Sequence, residues 1–96
     1  MKHFIIEITY TVPFTKIDEV LQEHRNFLQK GYDAGLLLYS GPQEPKTGGL
    51  VVARGESLEK IKDYFKDDPF LQHHVADYRY IEFNPVKLQT LLKDWI

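Results

Sequence analysis

The chain has 96 residues, 43% of them apolar and 14% aromatic, with no cysteine and a formal charge of −2. That is enough apolar side chain for one small domain, residues 1–96, and too little length for two cores. The composition excludes disulfides, thiolate nucleophiles and Cys-held metal clusters, and acids and bases are too well mixed to offer nucleic acid a basic face. No apolar run approaches a membrane span, and Met1-Lys2-His3 leads straight into a strand-like segment without a signal-peptide pattern. A cytoplasmic location, with neither membrane nor nucleic acid as partner, is the expectation.

Phe4 to Val12 alternates in the manner of a strand and stops at Pro13. Thr15 is positioned to cap a helix carrying Asp18 and Glu19 in its first turn, with Gly31 closing it. Leu36 to Ser40 and Leu50 to Arg54 read as two strands joined by the turn-rich stretch Gly41–Gly49, which is too short for a crossover helix, so they form an antiparallel hairpin. Ser57 caps a second helix with Leu58, Ile61, Tyr64 and Phe65 inward, and Asp68-Pro69 ends it. Ala76 to Phe83 is the last strand. After Pro85, Val86 to Ile96 predicts a short terminal helix with Leu88, Leu91, Leu92 and Trp95 on one side. The order predicts an α+β, ferredoxin-like βαββαβ fold: an antiparallel sheet with both helices on one face, a core of residues 1–84, and an extra C-terminal helix over 86–96.

Leu36-Leu37-Leu38-Tyr39 and Leu50-Val51-Val52-Ala53 are apolar on both faces, although helices in this plan cover only one. An antiparallel sheet facing water alternates. The second face therefore predicts a sheet-to-sheet homodimer.

His24 carries the most chemistry. Ile17, Val20, Leu21, His24, Phe27 and Leu28 recur at steps of one, three and four, which places the imidazole on the apolar stripe of the first helix. A lone histidine there is more often packed against a carbonyl than catalytic, yet it is the side chain suited to proton transfer near neutral pH. Asp68 sits at the rigid corner ending the second helix. Ordinary turn chemistry accounts for it alone, but side-by-side helices bring it toward His24, where a carboxylate fixes the imidazole tautomer and makes a general base. Ser40-Gly41-Pro42 ends a strand, with a hydroxyl and an open backbone for a ligand. Tyr39 and Tyr80 are candidates to stack on a ring, though Tyr78 and Tyr80 also suit cross-strand packing. His73-His74 are adjacent and point apart, so no metal ligand set emerges. Gly48-Gly49 lacks the features of a phosphate loop. No cofactor is expected.

These pieces resemble the YciI-like, or YCII-related, family. The resemblance rests on the strand Phe4–Tyr10, His24-Arg25-Asn26-Phe27-Leu28, the Gly31–Gly35 connector, Leu38-Tyr39-Ser40-Gly41-Pro42, Gly48-Gly49 and Asp68-Pro69-Phe70, in that order and spacing. It implies ferredoxin-like domains paired as a dimeric α+β barrel, with His24 and Asp68 matching a proposed catalytic dyad that lines a pocket. One branch of that family eliminates chloride from a chlorinated hydroxyquinone. Residues 86–96 extend past the usual core, with three roles open to them: covering the pocket, altering the dimer or building a higher assembly.

Three functions compete. The first is a small cofactor-free lyase or isomerase in which His24, held by Asp68, takes a proton from a small hydroxylated aromatic or carbonyl compound, with Ser40, Gly41, Pro42, Tyr39 and Tyr80 binding it. The second is a non-catalytic, dimeric module that binds a small ligand. The third is an assembly domain using the terminal apolar side.

Overall fold

The computed structural model describes residues 1–96. Four strands, β1 (Lys2–Tyr10), β2 (Leu37–Pro42), β3 (Gly48–Gly55) and β4 (Ala76–Phe83), form one antiparallel sheet in the order β2-β3-β1-β4. The central pair β1 and β3 is registered with Ile6 opposite Val51, and β1 meets β4 with Ile6 opposite Tyr80. Helix α1 (Phe14–Asp33) follows β1, α2 (Leu58–Phe65) follows β3, and a single turn of helix, α3 (Pro69–Gln72), lies between α2 and β4. This is an α+β, ferredoxin-like arrangement.

The pleat explains the layering. Phe4, Ile6 and Ile8 of β1 and Val51 and Ala53 of β3 point to one face, where they are sealed by Ile17, Val20 and Leu28 of α1 and Ile61 and Phe65 of α2. The intervening residues Ile5, Val52 and Ile81 face the other way and remain half-buried, and Leu50 stays exposed. Ser57 caps α2 as its sequence predicts, accepting the Lys60 amide at 3.1 Å. The predicted limits of β4 match the observed ones.

Helix α1 differs at both ends from its prediction. It begins directly after Pro13, with Thr15 inside the first turn, Asp18 and Glu19 beyond it, and no side-chain cap. It also runs through Gly31 to Asp33. A Cβ on Gly31 would stand 2.6 Å from the Tyr64 hydroxyl and 2.8 Å from Leu37, so this glycine lets α2 and β2 approach closely. Gly35 is the terminator, at φ 75°. The amides of Gly35 and Leu36 return to the carbonyls of Tyr32 and Gly31, the paired closure typical of a helix ending in a left-handed glycine.

The β2–β3 hairpin is longer than predicted. Gly41 and Pro42 pair with Leu50 and Gly49, leaving only Gln43–Thr47 as the loop. An irregularity at Leu38 shifts the register between Leu37 and Tyr39. That extra residue reverses the pleat, so Leu37 and Ser40 face the helices while Tyr39 faces outward.

The predicted C-terminal helix is absent. Only Thr90–Leu92 makes a 3₁₀ turn, with Leu91 83% and Val86 79% exposed. Eleven residues are too few to hold an isolated helix, and this stripe finds little apolar surface. The segment is tethered instead by Arg54, whose guanidinium lies 4.0 Å from the Trp95 ring centroid and donates to the Trp95 carbonyl at 2.9 Å. No helix is long and apolar enough to cross a membrane.

Candidate active site

His24 projects from the buried stripe of α1 and is 7% exposed. Its ring lies flat against Phe70, with centroids 3.8 Å apart and planes 4° from parallel. Nδ1 stands 2.8 Å from Oδ1 of Asp68, which is 0% exposed. The acid is locked by local structure. It is the N-cap of α3, with Oδ1 accepting the Phe70 amide at 3.0 Å and Pro69 in the first helical position, where no amide donor is needed. Its other oxygen, Oδ2, accepts the Tyr78 hydroxyl. Three donors therefore converge on one enclosed carboxylate.

An ionised carboxylate offers only acceptors. With the Phe70 amide and the Tyr78 hydroxyl donating to it, the imidazole donates as well, from Nδ1–H. In the neutral ring the lone pair is then on Nε2. Every fully buried side-chain nitrogen and oxygen has a hydrogen-bond partner, whereas Nε2 has none, so Nε2 is an open position. His24 lines a cavity of about 240 Å³. Burial first, then the Asp68 charge, pushes the Tyr78 phenol far above its ordinary value, so Tyr78 stays a donor. Burial and the same charge push Tyr64 and Tyr80 up to about 12.

The cavity walls are Ile8 and Val51 from the sheet, Leu21 and Leu28 from α1, and Phe70. Ser40, Gly41 and Pro42 close one end. The Ser40 hydroxyl shares a 2.6 Å hydrogen bond with the Tyr32 hydroxyl, which anchors it. Exposed Arg25 and Lys46 complete the rim, with Tyr10 and Phe14 beside them.

Of the residues singled out in the sequence, His24, Ser40, Gly41 and Pro42 line this space, and Asp68 lies behind His24. Tyr39 does not: the irregularity at Leu38 sends it to the outer face, 62% exposed. Tyr80 faces the helices but packs against Phe65, 6.2 Å between centroids, and does not reach the cavity. His73 stands apart, 3.9 Å from Glu23, and no three His, Asp or Glu side chains converge. Sequence reasoning missed Tyr78 as the second ligand of Asp68, and Tyr10, Arg25 and Lys46 as cavity residues. For Tyr78 the signal existed, because Tyr78 and Tyr80 share a face two residues apart.

The model of the YCII-related domain matches residues 1–84. The chain belongs to the YCII-related family. The match stops where β4 ends and the irregular terminal segment begins. A comparison with curated proteins gave no match. Among solved structures, the chain is similar to 5-chloro-2-hydroxyhydroquinone dehydrochlorinase (TftG) from Burkholderia phenoliruptrix AC1100, in complex with 2,5-dihydroxybenzoquinone. The TM-score is 0.70 at 15% identity, covering 85% of this chain and 91% of the other. At that identity the likeness is one of fold.

Proposed function

We propose that this YCII-related protein is a small enzyme of the lyase or isomerase type, with His24 as its acid–base group and Asp68 as the residue that orients it. The single observation that carries this reading is the buried 2.8 Å contact of Nδ1 with Asp68 while Nε2 is left open beside the cavity. In the proposed step the Nε2 lone pair takes a proton from an acidic C–H or O–H of the substrate, and the imidazolium is held by the Asp68 carboxylate. The proton then returns to a different atom of the substrate in an isomerisation. In an elimination the freed electron pair forms the new double bond, the leaving group departs as an anion, and His24 gives its proton to solvent. Ser40 and the backbone at Gly41 bind a substrate oxygen.

The cavity size supports a single substituted ring: roughly 150 Å³ of apolar space accepts benzene, and this space is about 240 Å³. The name of the similar dehydrochlorinase, and the dihydroxybenzoquinone in its structure, favour a hydroxylated ring or its quinone form. In the same reading the apolar outer face of the sheet, with Ile5, Leu50, Val52 and Ile81, is covered by a second copy of the chain, a point checked by mass in solution.

The test is a panel of hydroxylated aromatics and cyclic carbonyl compounds, followed by the His24→Gln variant. Turnover by the native protein should fall about 10²–10⁴-fold in that variant while folding is retained. Full activity in His24→Gln would end the proposal, and thermal stabilisation by panel members without turnover would replace it with a binding module.

A further inference from the structure

The cavity has an electrical asymmetry that the acid–base reading does not use. Arg25 and Lys46 both line it, and no Asp or Glu does. Neither cation is engaged in an ion pair or a hydrogen bond with the protein, whereas Lys16, Lys60 and Lys66 all have carboxylate partners. Lys46 reaches across the rim to lie 5.4 Å from the Phe14 ring centroid. The charge of Arg25 is felt at the Tyr10 phenol, which it draws downward against the larger effect of burial. The Tyr10 hydroxyl also lacks a protein partner, so a second donor stands beside the guanidinium. Asp68 does not line the cavity either: it lies behind the imidazole with three donors on its oxygens. Two open cations therefore line the cavity, and the one acid behind it has its oxygens occupied by protein donors.

We propose that the cavity selects a monocyclic compound bearing an anionic oxygen group, a carboxylate or a phenolate, and that Arg25 and Lys46 are its specificity-determining residues. This assignment rests on the reading of the cavity as a substrate site and names the class of substrate. The ring lies among Ile8, Leu28, Val51 and Phe70, and the charged group points to the rim, where charge-assisted hydrogen bonds from the guanidinium and ammonium receive it. That placement leaves the opposite edge of the ring to His24.

The experiment compares benzoate with benzamide, which share ring and shape but differ by one charge. Binding is measured by NMR titration at low ionic strength on the native protein, on Arg25→Gln/Lys46→Gln and on His24→Gln. Both rim residues are exposed, so the double variant should fold normally. The native protein should bind benzoate at least about tenfold more tightly than benzamide, a preference that shrinks with added salt. The double variant should lose the preference and His24→Gln should keep it. Retention in His24→Gln separates this proposal from the catalytic one, because the preference stands even if no turnover is found. Equal affinity for the two probes, no saturable binding of either, or an unchanged preference in the double variant overturns it.

Discussion

The protein buries two histidines to nearly the same degree, His24 at 7% exposure and His3 at 6%, and surrounds them oppositely. His24 lies under the helices with a carboxylate on Nδ1. His3 lies near the edge of the outer face, opposite Arg54 in the register, with no acid bonded to it. Burial, the N-terminal charge and Arg54 all lower its pKa. The comparison teaches that an imidazole on an apolar surface is not yet a site. What distinguishes the two rings is the company they keep: a carboxylate on Nδ1 of His24, and the N-terminus and Arg54 as the charges acting on His3.

Removing the partner should have the largest effect. Asp68→Ala strips His24, the Phe70 amide and Tyr78 of one shared acceptor and opens the enclosed corner. The expected loss is about 3–5 kcal/mol of stability, read from urea midpoints at neutral pH. A loss under about 1 kcal/mol would mean that the acid is incidental to the corner. Tyr78→Phe comes next. It deletes one donor to a charged acceptor and should cost roughly 1.5–3 kcal/mol. Its pH signature is specific: the folded-state pKa of Tyr78 is raised, so its contribution is complete below pH 10, the unfolded value, and is lost as pH climbs above it. Urea midpoints taken from pH 9 to 12 should fall less steeply in Tyr78→Phe, and the slope that remains should come from the other raised groups, Tyr64 and Tyr80 at about 12 together with Tyr10, Lys60 and Lys66.

The smallest effect should come from His3. Its folded-state pKa lies below the ordinary 6.5, so the unfolded chain binds more protons once pH falls below that value. Its contribution is complete above pH 6.5 and declines on acidification. His3→Gln should flatten the acid limb of the stability profile between pH 6.5 and 5, and an unchanged limb would erase the contrast between the two histidines.

The elements that were legible in the sequence are those set by local rules. β4 follows from alternation bounded by Pro85, and the α2 start follows from Ser57. His24 was legible because a polar ring interrupts an apolar stripe, and Asp68 because it precedes a proline at a helix stop. What was hidden depends on packing across the chain. Gly31 reads as a terminator until Tyr64 is seen against it. Tyr39 reads as a candidate to stack on a ring until the irregularity at Leu38 turns it to the outer face. The stripe at Leu88, Leu91, Leu92 and Trp95 reads as a helix, but the surface it would need is missing.

His24 can act as a base toward the cavity only if Nδ1 holds the proton, and ¹⁵N NMR of the histidine rings reads this without any substrate. In the neutral ring the hydrogen should be on Nδ1 and bonded to Asp68, with Nε2 bare, and this preference should vanish in Asp68→Asn. A neutral His24 protonated on Nε2 would leave the cavity facing a donor where a base is required, and would contradict the account.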